Sequence, residues 1–144
     1  MAMRYNRQLP QPEELKGEYP LPLRLRAIKE ERDQEIRKVF EGKSQQFLVV
    51  VGPCSADRED SVLEYVSRLA KLQEQVKGRL ILIPRVYTNK PRTTGAGYKG
   101  MLHQPSPDKE PDLLGGIIAI RRLHLRVMEE SGLTAADEML YPEN

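Results

Sequence analysis

The chain has 144 residues, with 39% hydrophobic and 31% charged side chains, which is the make-up of an ordinary globular domain long enough to bury one core. Its 23 basic and 21 acidic side chains leave a formal charge of +2, so no global field calls for a nucleic-acid or membrane partner and any anion binding must be local. The single cysteine, Cys54, excludes an internal disulfide, Met1 to Pro20 lack the apolar run of a secretory signal, and the longest apolar run, Phe47 to Val51, falls far short of the roughly 20 residues that span a bilayer, so a reducing cytoplasm is the expected setting.

Residues 1 to 22 carry Pro10, Pro12, Pro20 and Pro22 among scattered charges without a period, which predicts an extended arm lying on something else. From Leu23 to Phe40, Leu25, Ile28, Ile36, Val39 and Phe40 fall at helical spacing, and Gly42 is the stop. The mixed charges from Lys29 to Asp33 make a solvated face of that helix. Phe47 to Val51 is a β-branched apolar run, the pattern of a parallel strand buried on both faces, and it ends at Gly52-Pro53. Asp57, Glu59 and Asp60 suit the start of a second helix, whose face is Val62, Leu63, Val66, Leu69, Ala70 and Val76, closed by Gly78.

Leu80 to Ile83 resumes the strand pattern and is expected to run through Pro84 to Tyr87, although the proline removes a ladder donor. Residues 88 to 111, rich in glycine, threonine and proline, form a connection longer than most, of the kind that more often carries function. Asp112 caps a third long helix bearing Leu114, Ile117, Ile118, Leu125 and Met128 up to Gly132, weakened at Gly115-Gly116. Ala135 to Leu140 reads as a third strand. Strands alternating with helices predict a parallel α/β fold, and the leading expectation is a (β/α)8 barrel. Residues 1–46 would be an N-terminal arm and helix, and 47–144 the first three strand-helix units. An eightfold barrel takes about 250 residues, so the barrel would be incomplete in this chain, with apolar strand edges left open.

In such folds ligands bind beyond the carboxyl ends of the strands, here Gly52 to Ser55, Arg85 to Gly100 and Glu138 onward. Cys54 sits on a tight turn past the first strand, near a helix N-terminus that would favour a thiolate able to bind a metal. A free cysteine there is also a common small buried hydrophobe, and spacing alone does not choose between the two. Arg85, Lys90 and Arg92, with Thr93, Thr94 and nearby glycines, offer forks, point charge and backbone amides to a phosphate or carboxylate; a merely solvated basic loop has the same composition. Glu138 either points at the pocket or is a surface acid. His103 and His124 fit no local metal spacing and read as structural. Nucleic-acid binding is disfavoured, because the basic loop interleaves only Tyr87 and Tyr98 as aromatic platforms.

Taken in order, Val50-Val51-Gly52-Pro53-Cys54-Ser55, Arg85-Val86-Tyr87, Lys90-Pro91-Arg92-Thr93-Thr94, Tyr98-Lys99-Gly100 and Ala136-Asp137-Glu138-Met139-Leu140 resemble class I 3-deoxy-D-arabino-heptulosonate 7-phosphate (DAHP) synthases from about Leu21 to Asn144. The related 3-deoxy-D-manno-octulosonate 8-phosphate synthases share the Gly-Pro-Cys turn but carry an Ala-Asn-Arg version of the second motif. The resemblance implies a transferase that opens aromatic amino-acid biosynthesis by joining phosphoenolpyruvate to D-erythrose 4-phosphate. A divalent metal of the Mn, Fe, Co or Zn class polarises the aldehyde, C3 of phosphoenolpyruvate attacks it, water adds at C2 and phosphate leaves.

Carried over by motif, the resemblance makes Cys54 one metal ligand and assigns Arg85 and Lys90 to phosphoenolpyruvate. It assigns Pro91, Arg92, Thr93 and Thr94 to erythrose 4-phosphate; Glu138 is a further substrate-binding candidate from its strand-end position. Lys90 is also a candidate proton donor. The family's remaining ligands, a histidine, a glutamate and an aspartate, come from later strands that this sequence does not match, so the chain alone is expected to be very slow or inactive. Complete homologues are expected to be homo-oligomers. The alternative is a non-catalytic fragment that binds phosphate or docks on another subunit.

Overall fold

The structure is a computed structural model that describes residues 8–90 and 97–138. Its elements run α1 (Pro12–Glu18), α2 (Leu23–Phe40), β1 (Phe47–Val51), α3 (Glu59–Val76), β2 (Leu80–Pro84) and α4 (Leu113–Ser131). The two strands pair in parallel, Phe47 opposite Leu80 through Val51 opposite Pro84, with α3 as the crossover between them. Beyond Pro84 the ladder continues as a single parallel bridge, Arg85 to Ala136.

Three expectations need correction. The arm is not wholly extended: Pro12 opens α1, where its missing N–H costs nothing, Glu13 and Glu14 suit the helix start, and Gln11 N donates to Glu14 Oε2 at 2.9 Å. It does lie on something else, because Arg121 of α4 donates to the Tyr19 carbonyl at 3.0 Å and the Arg122 guanidinium stacks over the Tyr19 ring. Secondly, β1 is not buried on both faces: Val50 is 49% exposed while Val49 and Val51 pack on the core, and Phe47, at the start of the strand, is 72% exposed. Thirdly, β2 stops at Pro84, because its partner β1 ends at Val51 opposite it and the chain then turns at Gly52-Pro53. Of the expected third strand only the Ala136 bridge is seen among the described residues, and positions 139–140 lie outside them.

The core lies between the sheet and the helices. Val62, Leu63 and Val66 of α3 meet Leu123 and Val127 of α4 over Val86, Ala56 and Met101, and Leu69 packs with Leu82 and Leu133. Each such side chain contributes roughly 1.5–3 kcal/mol when removed from water. Because Leu82 and Val86 enter this core, strand alternation puts Ile83, Arg85 and Tyr87 on the other face. The Gly115-Gly116 pair, which weakens a helix by propensity, has a packing reason: a Cβ at Gly116 would stand 1.8 Å from the Leu102 carbonyl oxygen. Glycine lets α4 press onto the loop that returns from Lys90.

The second edge of β2 is closed by side chains. Gln73 of α3 accepts from Leu82 N at 2.6 Å and donates to the Leu80 carbonyl at 2.9 Å, and Arg32 of α2 donates to the Leu82 carbonyl at 2.8 Å. Further along, Ala136 N donates to the Pro84 carbonyl and Val86 N to the Ala136 carbonyl, both at 2.9 Å. Among the described residues the third segment therefore joins β2 only at its carboxyl end, and the main-chain groups of Leu80 and Leu82 below that point are satisfied without a strand.

Candidate substrate site at the strand ends

The carboxyl ends of β1 and β2 are bound together by main-chain contacts that fix the Cys54 turn. Arg85 N donates to the Val51 carbonyl at 2.9 Å and Ala56 N to the Tyr87 carbonyl at 2.8 Å. Between those bonds Gly52 faces Arg85 so closely that a Cβ would lie 2.9 Å from both the Arg85 carbonyl oxygen and its Cβ. Glycine at this position is what allows the turn to fold over β2. Cys54 is left exposed at the crest.

Lys90 reaches that crest. Its Nζ donates to Cys54 Sγ at 2.6 Å, and its main-chain N is held by the Lys99 carbonyl at 3.0 Å. The hydrogen bond from Lys90, and then its charge, pull the Cys54 thiol below its ordinary pKa; Arg85 adds to this and Glu138 opposes it. Electrostatics thus brings four of the sequence-derived residues, Cys54, Lys90, Arg85 and Glu138, into one neighbourhood. The cause differs from the one expected: α3 begins only at Glu59, so the ammonium of Lys90 favours the thiolate rather than a helix terminus. Arg85 also stacks its guanidinium over the Tyr87 ring at 4.2 Å, which orients its fork.

Pro91, Arg92, Thr93 and Thr94 lie outside the described residues. His124 Nε2 sits 3.5 Å from the Asp137 carboxylate. Two fully buried neighbours of Lys90 escaped sequence reasoning. Thr88 donates through both its N–H and its hydroxyl to Asp137, at 2.8 and 2.6 Å, and the Asn89 side-chain amide has no partner among the described residues. Nothing in one sequence pairs positions 49 residues apart, so Asp137 had no signal. An open groove between Asp57–Asp60, Pro105–Asp108 and α4 includes none of Cys54, Arg85, Lys90 or Glu138, and its mixed charges suit no single ligand.

Among the described residues no group of three or more His, Cys, Asp or Glu side chains is placed to hold a metal ion, and no helix is long and apolar enough to cross a membrane. A divalent ion usually takes at least three protein ligands, so Cys54 would be a partial donor set at most.

The polar cluster of Cys54, Lys90 and Arg85 thus lies beyond the carboxyl ends of two parallel strands, where α/β folds place their ligands. The chain belongs to the DAHP synthetase I family, whose sequence profile matches residues 22–141. It is 37% identical over 133 residues to the Tyr-sensitive phospho-2-dehydro-3-deoxyheptonate aldolase of Escherichia coli K12, covering 92% of this chain and 37% of that protein. It is 40% identical over 105 residues to the Phe-sensitive enzyme of the same organism, covering 73% of this chain and 29% of that protein. The structure of the phospho-2-dehydro-3-deoxyheptonate aldolase from Francisella tularensis SCHU S4 superimposes with a TM-score of 0.87 at 28% identity, covering 96% of this chain and 40% of that one. The matched region therefore spans between 29% and 40% of the length of these relatives.

Proposed function

We propose that this chain supplies the phosphoenolpyruvate-gripping part of a DAHP synthase, the activity that condenses phosphoenolpyruvate with D-erythrose 4-phosphate, on the first units of a (β/α)8 barrel. The observation that carries the reading is the meeting of Lys90 with Cys54, with Arg85 and Glu138 in electrostatic reach, at the carboxyl ends of adjacent parallel strands. Family membership supports it independently.

In this reading Arg85 presents a planar fork to the phosphoenolpyruvate carboxylate or phosphate, held in orientation by Tyr87. Lys90 adds a point charge and holds a proton that it can deliver as the condensation proceeds. Pro91, Arg92, Thr93 and Thr94 continue directly from Lys90 and would take erythrose 4-phosphate. Glu138 contributes a carboxylate at the same rim. Cys54 would be one metal ligand of the expected set, which the described residues do not complete.

The test is a chimera in which residues 22–141 replace the matching stretch of the Escherichia coli Tyr-sensitive enzyme. Metal-dependent consumption of phosphoenolpyruvate, lost in Lys90→Met and in Cys54→Ser, is the expected result. A folded chimera that consumes none, or one whose activity is indifferent to both substitutions, contradicts the reading.

A further inference from the structure

We propose that Asp137 is a positioning residue for Lys90, locking through Thr88 the stretch of main chain from which Lys90 reaches the substrate. The inference deepens the reading of the site given above and rests on it for the identity of the substrate, but its geometry stands alone.

Lys90 leaves β2 beyond the last ladder pair, where no strand bonding fixes it: among the described residues, pairing between β2 and the following segment ends at the Arg85–Ala136 bridge. Past that bridge the Asp137 side chain takes over the role of the ladder. Its Oδ1 accepts from Thr88 N at 2.8 Å and from Glu138 N at 2.8 Å, and its Oδ2 accepts from the Thr88 hydroxyl at 2.6 Å. One carboxylate thus ties the backbone two residues before Lys90 to the backbone of Glu138. Hydrogen bonds to an ionised acceptor are short and strong, and two from one residue fix a direction as well as a distance.

The surroundings make this a built clamp. Thr88 is fully buried, and its own carbonyl accepts from Leu102 N at 3.2 Å, so the residue is held from both sides. The ring of His124, from α4, lies 3.5 Å from Asp137 Oδ2. The charged groups that act on that ring are Asp137 and Arg121, the latter on the same helix. The clamp therefore joins the stretch that follows β2 to the segment after Ala136, with His124 of α4 against it, two residues before Lys90. A lysine on a long flexible stem acts with precision only if its Cα is fixed, because small misplacements of a catalytic group cost large factors in rate.

The test uses the whole 144-residue chain, in which Cys54 is the only thiol. The rate constant for alkylation of Cys54 by iodoacetamide at pH 7 reports whether the Lys90 ammonium sits on Sγ. Lys90→Met is the reference and should slow alkylation by at least about fivefold. Asp137→Ala and Thr88→Val should slow it to within about twofold of that reference, while Thr88→Ser, which keeps the hydroxyl donor, restores the wild-type rate. Asp137→Ala added to Lys90→Met should change nothing further. Circular dichroism and thermal melting identify any variant that does not fold, and the Thr88→Val and Thr88→Ser pair decides the matter if Asp137→Ala is one of these. The proposal is overturned if folded Asp137→Ala and Thr88→Val alkylate at the wild-type rate, if Thr88→Ser behaves as Thr88→Val, or if Lys90→Met has no effect. Phosphoenolpyruvate affinity, measured alongside by calorimetry, separates the two claims. A wild-type chain that does not bind it while the alkylation pattern holds refutes the substrate and leaves the clamp in place.

Discussion

Lys90 Nζ and Cys54 Sγ meet at 2.6 Å across 36 residues of sequence, one carried by the connection after β2 and the other by the turn after β1. Removing the ammonium removes the largest cause of the lowered thiol pKa. Lys90→Met should therefore return Cys54 toward the ordinary thiol value of 9.0, with Arg85 alone retaining a small part of the effect. Ultraviolet titration of the thiolate reads this directly, and an unchanged titration would show that the contact is not populated in solution.

His124 provides a pH signature. Burial, as the largest cause, holds its pKa below the usual 6.5, while the Asp137 carboxylate and the Val86 main chain oppose that shift and Arg121 adds to it. A histidine whose folded pKa is depressed binds its proton more readily when unfolded, so stability is full above pH 6.5 and declines as pH falls from there toward the folded value. Thermal melting between pH 7 and pH 5 should show a falling midpoint, and His124→Gln should flatten the part of that slope owed to this residue.

The side-chain closure of β2 is tested at Gln73. Truncation to Ala leaves Leu82 N and the Leu80 carbonyl without their partners and should destabilise the chain by about 1–3 kcal/mol, as measured by urea unfolding. A loss below about 0.5 kcal/mol, the range of an ordinary surface substitution, would mean that water or another chain satisfies that edge.

Two glycines should respond oppositely. Gly116→Ala drives a methyl group into the Leu102 carbonyl and should cost about 1–3 kcal/mol or more as α4 is pushed off the loop. Gly78→Ala meets nothing within 4 Å and should be neutral or stabilising by up to about 1 kcal/mol. Equal effects in thermal melts would contradict the packing described for α4.

How far the sequence carried the account follows from which signals are local. Helical spacing placed α2 between Leu23 and Phe40 and the apolar run placed β1 between Phe47 and Val51, because both patterns record which side meets the core. The arm misled because its four prolines masked the one at Pro12 that starts a helix. The extent of β2 and of the third segment misled because both depend on partners distant in sequence: β1 offers no strand partner past Val51, and Gln73 and Arg32 occupy the edge that a strand pattern assigns to a neighbour. At the site, Cys54, Arg85, Lys90 and Glu138 were legible as residue types at strand ends, reinforced by family motifs. The Thr88–Asp137 clamp was not, since a threonine and an aspartate at that separation advertise nothing until the fold brings them together.

The central claim, that these strand ends grip phosphoenolpyruvate, is tested most directly by calorimetric titration of phosphoenolpyruvate into the wild-type chain and its Lys90→Met variant. The account predicts saturable binding in the wild type that weakens by about tenfold or more without the lysine, the loss expected when a charge-assisted contact to the ligand is removed. Equal affinity in the two proteins, or no binding by a folded wild-type chain, would contradict it.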